Sequence, residues 1–244
     1  MISEESIRQL RELNLPELVE ILKDGSKQNT FANITFDESL EMIIAHLYSA
    51  KISAKVQRLI RIAKFRDPTA DFTNFIYEDR KIDRKIIAEL ASLEFIKNHT
   101  NAICEGFTGN GKTFFSNALG KEACKKLLRT KYIRQTELLL QVDIRSMKPD
   151  GYIKLLNQYS SYDLIIIDEW LMGSLKKGDI EFLFELIERR YQIHSTVFCT
   201  QYKQEEWRKR LGSSLHAEAI IDRIIHNSIT LTMGNTNMRE NLHK

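Results

Sequence analysis

The sequence predicts an α/β chain in which a small all-α segment precedes a parallel five-stranded sheet, and three observations carry that prediction. Residues from Ile2 to about Lys97 keep an almost wholly helical period. Beyond Asn98, short apolar runs alternate with helical stretches, as in strands joined by crossover helices. At the first of these crossovers stands Gly106-Phe107-Thr108-Gly109-Asn110-Gly111-Lys112-Thr113, a glycine-bearing loop between an expected strand and an expected helix.

Composition narrows the classes. The chain has 244 residues, 43% hydrophobic and 28% charged, with 10 Gly and 3 Pro, which excludes repeat-rich and low-complexity architectures and allows a substantial core. No run of about 18 uncharged apolar residues occurs. Met1-Ile2-Ser3-Glu4-Glu5 lacks the basic-then-apolar start of a signal peptide, so a cytoplasmic protein without a membrane partner is expected. Cys104, Cys124 and Cys199 have no Cys or His at a zinc-like interval and read as buried thiols. The net charge is only +3, from 36 basic and 33 acidic residues, so any nucleic-acid role must come from local clustering.

In chain order, Leu10, Leu13, Leu18, Ile21 and Leu22 give a short apolar face that ends near Gly25. Thr35-Phe36-Asp37-Glu38 resembles a capping box and opens a helix of about Asp37 to Phe65. After Glu41 that helix carries no acidic residue, and none appears before Asp67, while Lys51, Lys55, Arg58, Arg61, Lys64 and Arg66 accumulate. Ile52, Val56, Leu59 and Ala63 fall in one stripe, and Lys51, Lys55, Arg58 and Arg66 cluster beside it. Lys51, Lys55, Arg58 and Arg61 are therefore candidate contacts to DNA phosphates, against the alternative of a solvated face. An irregular stretch, Phe65 to Tyr77, follows. Expected strands are Ala102–Glu105, Lys131–Arg134, Leu164–Ile167, Thr196–Thr200 and Ser228–Leu231. Helices are expected near Thr113–Leu128, Gly151–Gln158 and Ile180–Gln192, the last N-capped by Asp179. The domain expectation is 1–68 for a helical DNA-binding and oligomerisation domain, 69–97 for a linker and connecting helix, and 98–244 for the nucleotide domain.

The loop fits G-x-x-x-x-G-K-[ST], a pattern that arises by chance in roughly one chain of this length in a hundred. Its glycines let several N–H groups turn inward onto a phosphate, and the helix that starts near Lys112 adds its positive dipole end. Gly106, Phe107, Thr108, Gly109, Asn110 and Gly111 form the cradle, Lys112 reaches the β- and γ-phosphates, and Thr113 ligates Mg²⁺, so a nucleoside triphosphate with Mg²⁺ is the expected ligand. About 55 residues further on, Leu164-Ile165-Ile166-Ile167 runs into Asp168-Glu169, an apolar strand that ends in acids at the ligand edge of the sheet. Asp168 is placed for the metal shell, and Glu169 to orient or deprotonate the attacking water. Thr200, with Gln201 as the alternative, ends the next strand and is a candidate sensor of the γ-phosphate.

Taken together these residues resemble the IstB-type ATPases that assist the transposases of insertion sequences, a family similar to the helicase loader DnaC. The likeness runs over nearly the whole chain, from Ile7-Arg8-Gln9-Leu10-Arg11-Glu12-Leu13 to the segments Ile221-Asp222-Arg223-Ile224-Ile225-His226-Asn227 and Gly234-Asn235-Thr236-Asn237-Met238-Arg239. The resemblance implies an AAA+ fold, with Arg223 as an arginine finger into a neighbouring subunit's site and Arg239 as a second phosphate sensor. The spacing before Arg239 departs from the family's usual Gly-x-Ser-x-Arg, and the short segment after it leads us to expect no helical lid. The implied function is ATP-dependent assembly on double-stranded DNA, with self-association and recruitment or activation of a cognate transposase. A DnaC-like helicase loader and a small-molecule kinase are the rival classes.

Overall fold

The computed structural model describes residues 3–28, 34–76, 81–234 and 236–238. They fall into two compact units, residues 1–58 and 59–244. In the first, α1 (Glu4–Glu12) is N-capped by Ser3, whose hydroxyl accepts the Ser6 N–H at 3.1 Å. The apolar face expected to continue from Leu10 to Leu22 is divided between two helices, because Asn14 takes a left-handed backbone (φ 56°) and α2 (Pro16–Gln28) starts afresh. Proline suits that first helical position, where its missing N–H would have had no partner. The capping box forms: the Thr35 N–H donates to Glu38 at 2.7 Å, and the Glu38 N–H to Thr35 Oγ1 at 3.3 Å. It opens α3 (Phe36–Ala63), a helix of 28 residues.

In the second unit the chain forms a 3-10 turn (Phe72–Asn74), α4 (Arg84–Ala91) and α5 (Glu94–Lys97) ahead of the sheet. Then follow β1 (Asn101–Glu105), α6 (Lys112–Lys125), β2 (Thr130–Arg134), α7 (Gln135–Ser146), α8 (Gly151–Ser160) and β3 (Leu164–Trp170). The last elements are α9 (Lys177–Arg190), β4 (Ser195–Thr200), α10 (Gln204–Leu211), α11 (Leu215–Ile225) and β5 (Ser228–Thr232). All pairings are parallel, in the order β2-β3-β4-β1-β5.

Strand alternation divides the core. Ile103, Ile133, Ile165, Ile167 and Phe198 face one helical layer built mainly from α7, α8, α9 and α11. Ala102, Cys104, Tyr132, Ile166, Val197 and Cys199 face the other, with α4, α5 and α6. Because both faces are covered, every residue from Leu164 to Asp168 is buried, which explains the unbroken apolar run. All three cysteines are free and buried. Among the described residues no helix is long and apolar enough to cross a membrane.

Two details correct the expected elements. Helix α7 follows β2 with no intervening loop, so no turn signal marks it in the sequence. Asp179 lies inside α9 rather than before it, and its carboxylate reaches back to accept the Lys176 N–H at 2.8 Å.

The segment after α3 is fastened to α6. Asn117 Oδ1 accepts the Asp67 N–H at 3.0 Å, and Lys121 Nζ donates to the carbonyls of Pro68 and Ala70, each at 2.7 Å. The Phe65 ring lies so close to Gly120 that a Cβ there would stand 2.4 Å from it. Behind the sheet, Arg190 is 3% exposed and donates to the carbonyls of Tyr159, Ser160, Tyr162 and Ser195, tying the end of α8 to the starts of β3 and β4. Its burial holds the guanidinium down to about 9.

Candidate nucleotide-binding site

The loop 106–111 joins β1 to α6 at the C-terminal edge of the sheet. Gly109 adopts φ 88°, a backbone that L side chains rarely take, and a Cβ there would stand 2.2 Å from Asn237 Oδ1, the end of a side chain that would have to turn away. The segment after β5 lies against the same loop: the Met238 N–H donates to the Gly109 carbonyl at 2.9 Å, and Asn110 Nδ2 to the Gly234 carbonyl at 3.2 Å. Lys112 is folded back onto the loop, with Nζ donating to the carbonyls of Gly106 at 2.5 Å and Phe107 at 2.8 Å. An ammonium held by neutral carbonyls can exchange them for phosphate oxygens, which as anions are stronger acceptors.

Asp168 is 2% exposed and accepts three hydrogen bonds. Thr113 Oγ1 and the Tyr132 hydroxyl both donate to its Oδ2 at 2.7 Å, and the Glu169 N–H donates to Oδ1 at 2.9 Å. Strand β3 is irregular between Ile167 and Trp170, where its register with β4 shifts, and Glu169 takes a left-handed backbone (φ 58°). Such a bulge re-aims a side chain, and here it brings two consecutive acids, Asp168 and Glu169, to the wall of one cavity. The Glu169 carboxylate pairs with Arg66, Oε1 to Nη1 at 3.3 Å.

A cavity of about 410 Å³ joins these groups. Thr108–Phe114 and Asp168–Glu169 line one part, Arg66, Asp67 and Thr69 with Asn74–Ile76 another, and Cys199, Gln201 and Met238 complete it. Asp168 and Thr113 together offer hard oxygen donors 2.7 Å apart, a set that fits magnesium. Among the described residues no three His, Cys, Asp or Glu side chains form a cage, so a magnesium ion here would draw its other ligands from phosphate and water.

The expected residues are not all brought together. Thr200 is fully buried and does not line the cavity; its hydroxyl donates to the Trp170 carbonyl at 3.0 Å and accepts the Tyr202 N–H at 3.1 Å. Gln201, the alternative, lines the wall. Arg223 lies on α11 outside the cavity, paired with Glu188 of α9, with its guanidinium 5.5 Å from the Phe184 ring centre and 5.9 Å from that of Tyr191. Arg239 lies outside the described residues. Lys51, Lys55, Arg58 and Arg61 are all exposed along α3. Sequence reading missed Tyr132 and the pairing of Arg66 with Glu169. Its only available signal for Tyr132 was a polar-tipped residue in a buried strand, and nothing in the sequence marks β2 as the neighbour of β3.

A parallel sheet with a G-x-x-x-x-G-K-T loop after its first strand, and acids at the end of β3, defines a P-loop nucleotide-binding protein. The sequence matches the family of IstB-like ATP binding proteins over residues 8–244, and the chain belongs to that family. It is 24% identical over 239 residues to the insertion-sequence ATP-binding protein y4uH of Sinorhizobium fredii, covering 98% of this chain and 96% of the relative. It is 29% identical over 203 residues to the ATP-binding protein of insertion sequence IS1162 from Pseudomonas fluorescens, covering 82% of this chain and 87% of the relative. Among solved structures it is similar to AMPPCP-bound DnaA from Aquifex aeolicus, with a TM-score of 0.59 and 20% identity over 73% of this chain and 54% of that one. The chain thus spans about half the length of that DnaA, a likeness that establishes the fold alone.

Burial and the Asp168 carboxylate push the Tyr132 phenol well above its ordinary value of 10.0. The folded state therefore holds this proton more tightly than the unfolded chain, and the contribution is complete below about pH 10 and lost as pH rises beyond it. The free energy of unfolding should fall above about pH 10, and in Tyr132→Phe it should fall with a shallower slope. Urea titrations across that range check this; equal slopes would remove Tyr132 from the Asp168 contact.

Proposed function

We propose that this chain is an ATPase that assembles on double-stranded DNA and recruits or activates a transposase, with ATP hydrolysed at the interfaces between its subunits. The observation that carries this reading is the convergence of Thr113, Asp168 and Glu169 on one phosphate-loop cavity, in a chain of the IstB-like family. The naming of its relatives as insertion-sequence ATP-binding proteins supports a transposase, rather than a replicative helicase, as partner. The cytoplasm is the matching compartment.

In this reading the N–H groups of residues 106–111 cradle the phosphates of ATP, and Lys112 leaves its loop carbonyls for the β- and γ-phosphate oxygens. Thr113 and Asp168 hold Mg²⁺, whose charge offsets that of the phosphates when it is bound. Tyr132 keeps the Asp168 carboxylate aimed at that position. Glu169 orients the attacking water or takes its proton. Gln201, already on the cavity wall, is better placed than Thr200 to sense the γ-phosphate. Arg223, which does not line its own chain's cavity, serves the neighbouring subunit's site, and Arg239 acts as the second sensor that the family resemblance implies. Residues 1–68 supply DNA binding and self-association, 69–97 connect, and 98–244 form the ATPase domain, with Lys51, Lys55, Arg58 and Arg61 taking the DNA phosphates.

Separating binding from chemistry tests the catalytic part. Glu169→Gln should keep ATP affinity while slowing hydrolysis by a factor on the order of 10², whereas Lys112→Ala should weaken nucleotide binding itself. Turnover by Glu169→Gln within about threefold of wild type would remove Glu169 from the role.

Shared sites predict complementation. Arg223→Ala alone should bind ATP and hydrolyse it poorly, and mixing it with Lys112→Ala protein should restore part of the turnover, because some interfaces then pair an intact loop with an intact finger. Absence of recovery at every ratio, with co-assembly verified, would assign Arg223 to its own chain.

Salt dependence tests the basic helix. Each phosphate neutralised contributes about −0.9 to the slope of log affinity against log salt, so replacing Lys51, Lys55 and Arg58 by Gln should make the slope shallower by about 2 to 3 per protomer in contact. The loss should be similar on unrelated duplexes. An unchanged slope would leave α3 as a solvated face.

A further inference from the structure

Lys131 is a buried cation that the fold leaves without a partner. It stands in β2, an outer strand of the sheet, between the buried Thr130 and Tyr132, and is itself only 9% exposed. A buried cation is costly unless acids or carbonyls surround it, as carbonyls surround Arg190. Among the described residues the Lys131 amine has neither a hydrogen bond nor an ion pair. The acid that acts on it, Glu137, is already held by Arg134 at 2.5 and 3.0 Å. Its other charged neighbour is Lys64, an exposed residue with a left-handed backbone (φ 58°) directly after α3, and among the described residues that amine has no acid partner either. Burial first, and then the Lys64 ammonium, hold the Lys131 amine below its ordinary value of 10.5. Neither lysine lines the nucleotide cavity.

We propose that Lys131 and Lys64 form a second phosphate-binding site, on the ATPase unit, that takes adjacent phosphates of bound duplex DNA; the proposal rests on the DNA-binding reading given above and deepens it. Two neighbouring ammonium groups repel, and an anion that reaches both relieves the repulsion and gives the buried one the partner it lacks. The nucleotide's phosphates are addressed elsewhere, by Lys112 and Thr113. Lys64 continues the acid-free series that begins at Lys51, which suits a polyanion rather than a single small ion. Lys51, Lys55 and Arg58 belong to the unit 1–58, whereas Lys64 and Lys131 belong to the unit 59–244, so duplex would be gripped by the ATPase unit itself and not by the N-terminal helices alone. The rival account of Lys131 is that a charge on an outer strand discourages pairing with the same strand of another copy. That role needs no ligand, and the two accounts differ in what salt does to DNA binding.

Binding of a random-sequence duplex by the full chain, titrated over roughly 50 to 200 mM salt, tests this in wild type, Lys131→Met, Lys131→Gln, Lys131→Arg, Lys64→Gln and the double glutamine variant. Each phosphate contact contributes about −0.9 to the slope of log affinity against log salt, so each single neutral variant should make the slope shallower by about 0.9 and the double variant by about 1.8 per protomer in contact. Lys131→Arg, which keeps the charge, should keep the slope. ATP affinity should be unchanged throughout, and Lys131→Met without DNA should melt no lower than wild type, because an unpaired buried charge has been removed. Should Lys131→Met self-associate, as light scattering would show, Lys131→Gln carries the same slope expectation. If the neutral variants keep the wild-type slope, the proposal fails alone, and the DNA-binding reading still stands or falls by Lys51, Lys55 and Arg58. If ATP affinity drops while the slope holds, Lys131 serves the nucleotide site and the proposal is overturned. If wild type binds no duplex at any salt, the DNA-binding reading fails and takes the proposal with it.

Discussion

The Asp168 carboxylate lies at the end of the strand whose preceding four residues are all buried, and three donors from different parts of the chain converge on it. Thr113 brings the start of α6, Tyr132 brings β2, and the Glu169 N–H fixes the bulge that ends β3. A charge this buried is costly unless it is hydrogen-bonded, so each donor both lowers that cost and sets the position of an element. The geometry of the phosphate loop relative to the acids follows from this one carboxylate. A divalent ion at Asp168 and Thr113 would enter a site whose oxygens are already aimed by hydrogen bonds and need little reorganisation.

The second constraint is the fastening of residues 65–76 to α6. Asn117 and Lys121 hold this segment by its backbone, and Phe72 and Phe75 pack edge-on against Phe115 at ring separations of 5.6 and 5.7 Å. The segment that leaves α3 therefore becomes one wall of the nucleotide cavity. A stretch that reads in sequence as an irregular connection is, in the fold, part of the site. The phosphate loop is enclosed from the other end of the chain as well, by the contacts of Gly234, Asn237 and Met238.

Buried cations that rest on carbonyls are treated in two ways. Arg190 gives its donors to the backbone carbonyls of Tyr159, Ser160, Tyr162 and Ser195 and stitches α8 to β3 and β4, so its role is structural. Lys112 also rests on carbonyls, but those belong to the loop that would receive a phosphate, so the same chemistry holds a binding group in readiness.

Much of this molecule is legible in its sequence because the information is local. The phosphate loop is a backbone shape specified by glycine spacing and by the Lys112-Thr113 pair that opens a helix. The apolar run into Asp168-Glu169 marks a strand buried on both faces, and Thr35 with Glu38 marks where α3 begins. The sequence alone thus determined the fold class and the nucleotide loop, and it marked Lys112, Thr113, Asp168 and Glu169, which the fold brings to one cavity. It put Thr200 ahead of Gln201, and the fold reverses that order, since one residue of alternation at a strand end decides which side chain meets the cavity. Nor did it join Tyr132 to Asp168 or Arg66 to Glu169, partners 36 and 103 residues apart. Those pairings depend on β2 lying beside β3 and on residues 65–76 lying against α6. Periodicity states which face of an element is buried and not which element covers it; that choice is made by the packing of the whole sheet, and only the tertiary structure records it.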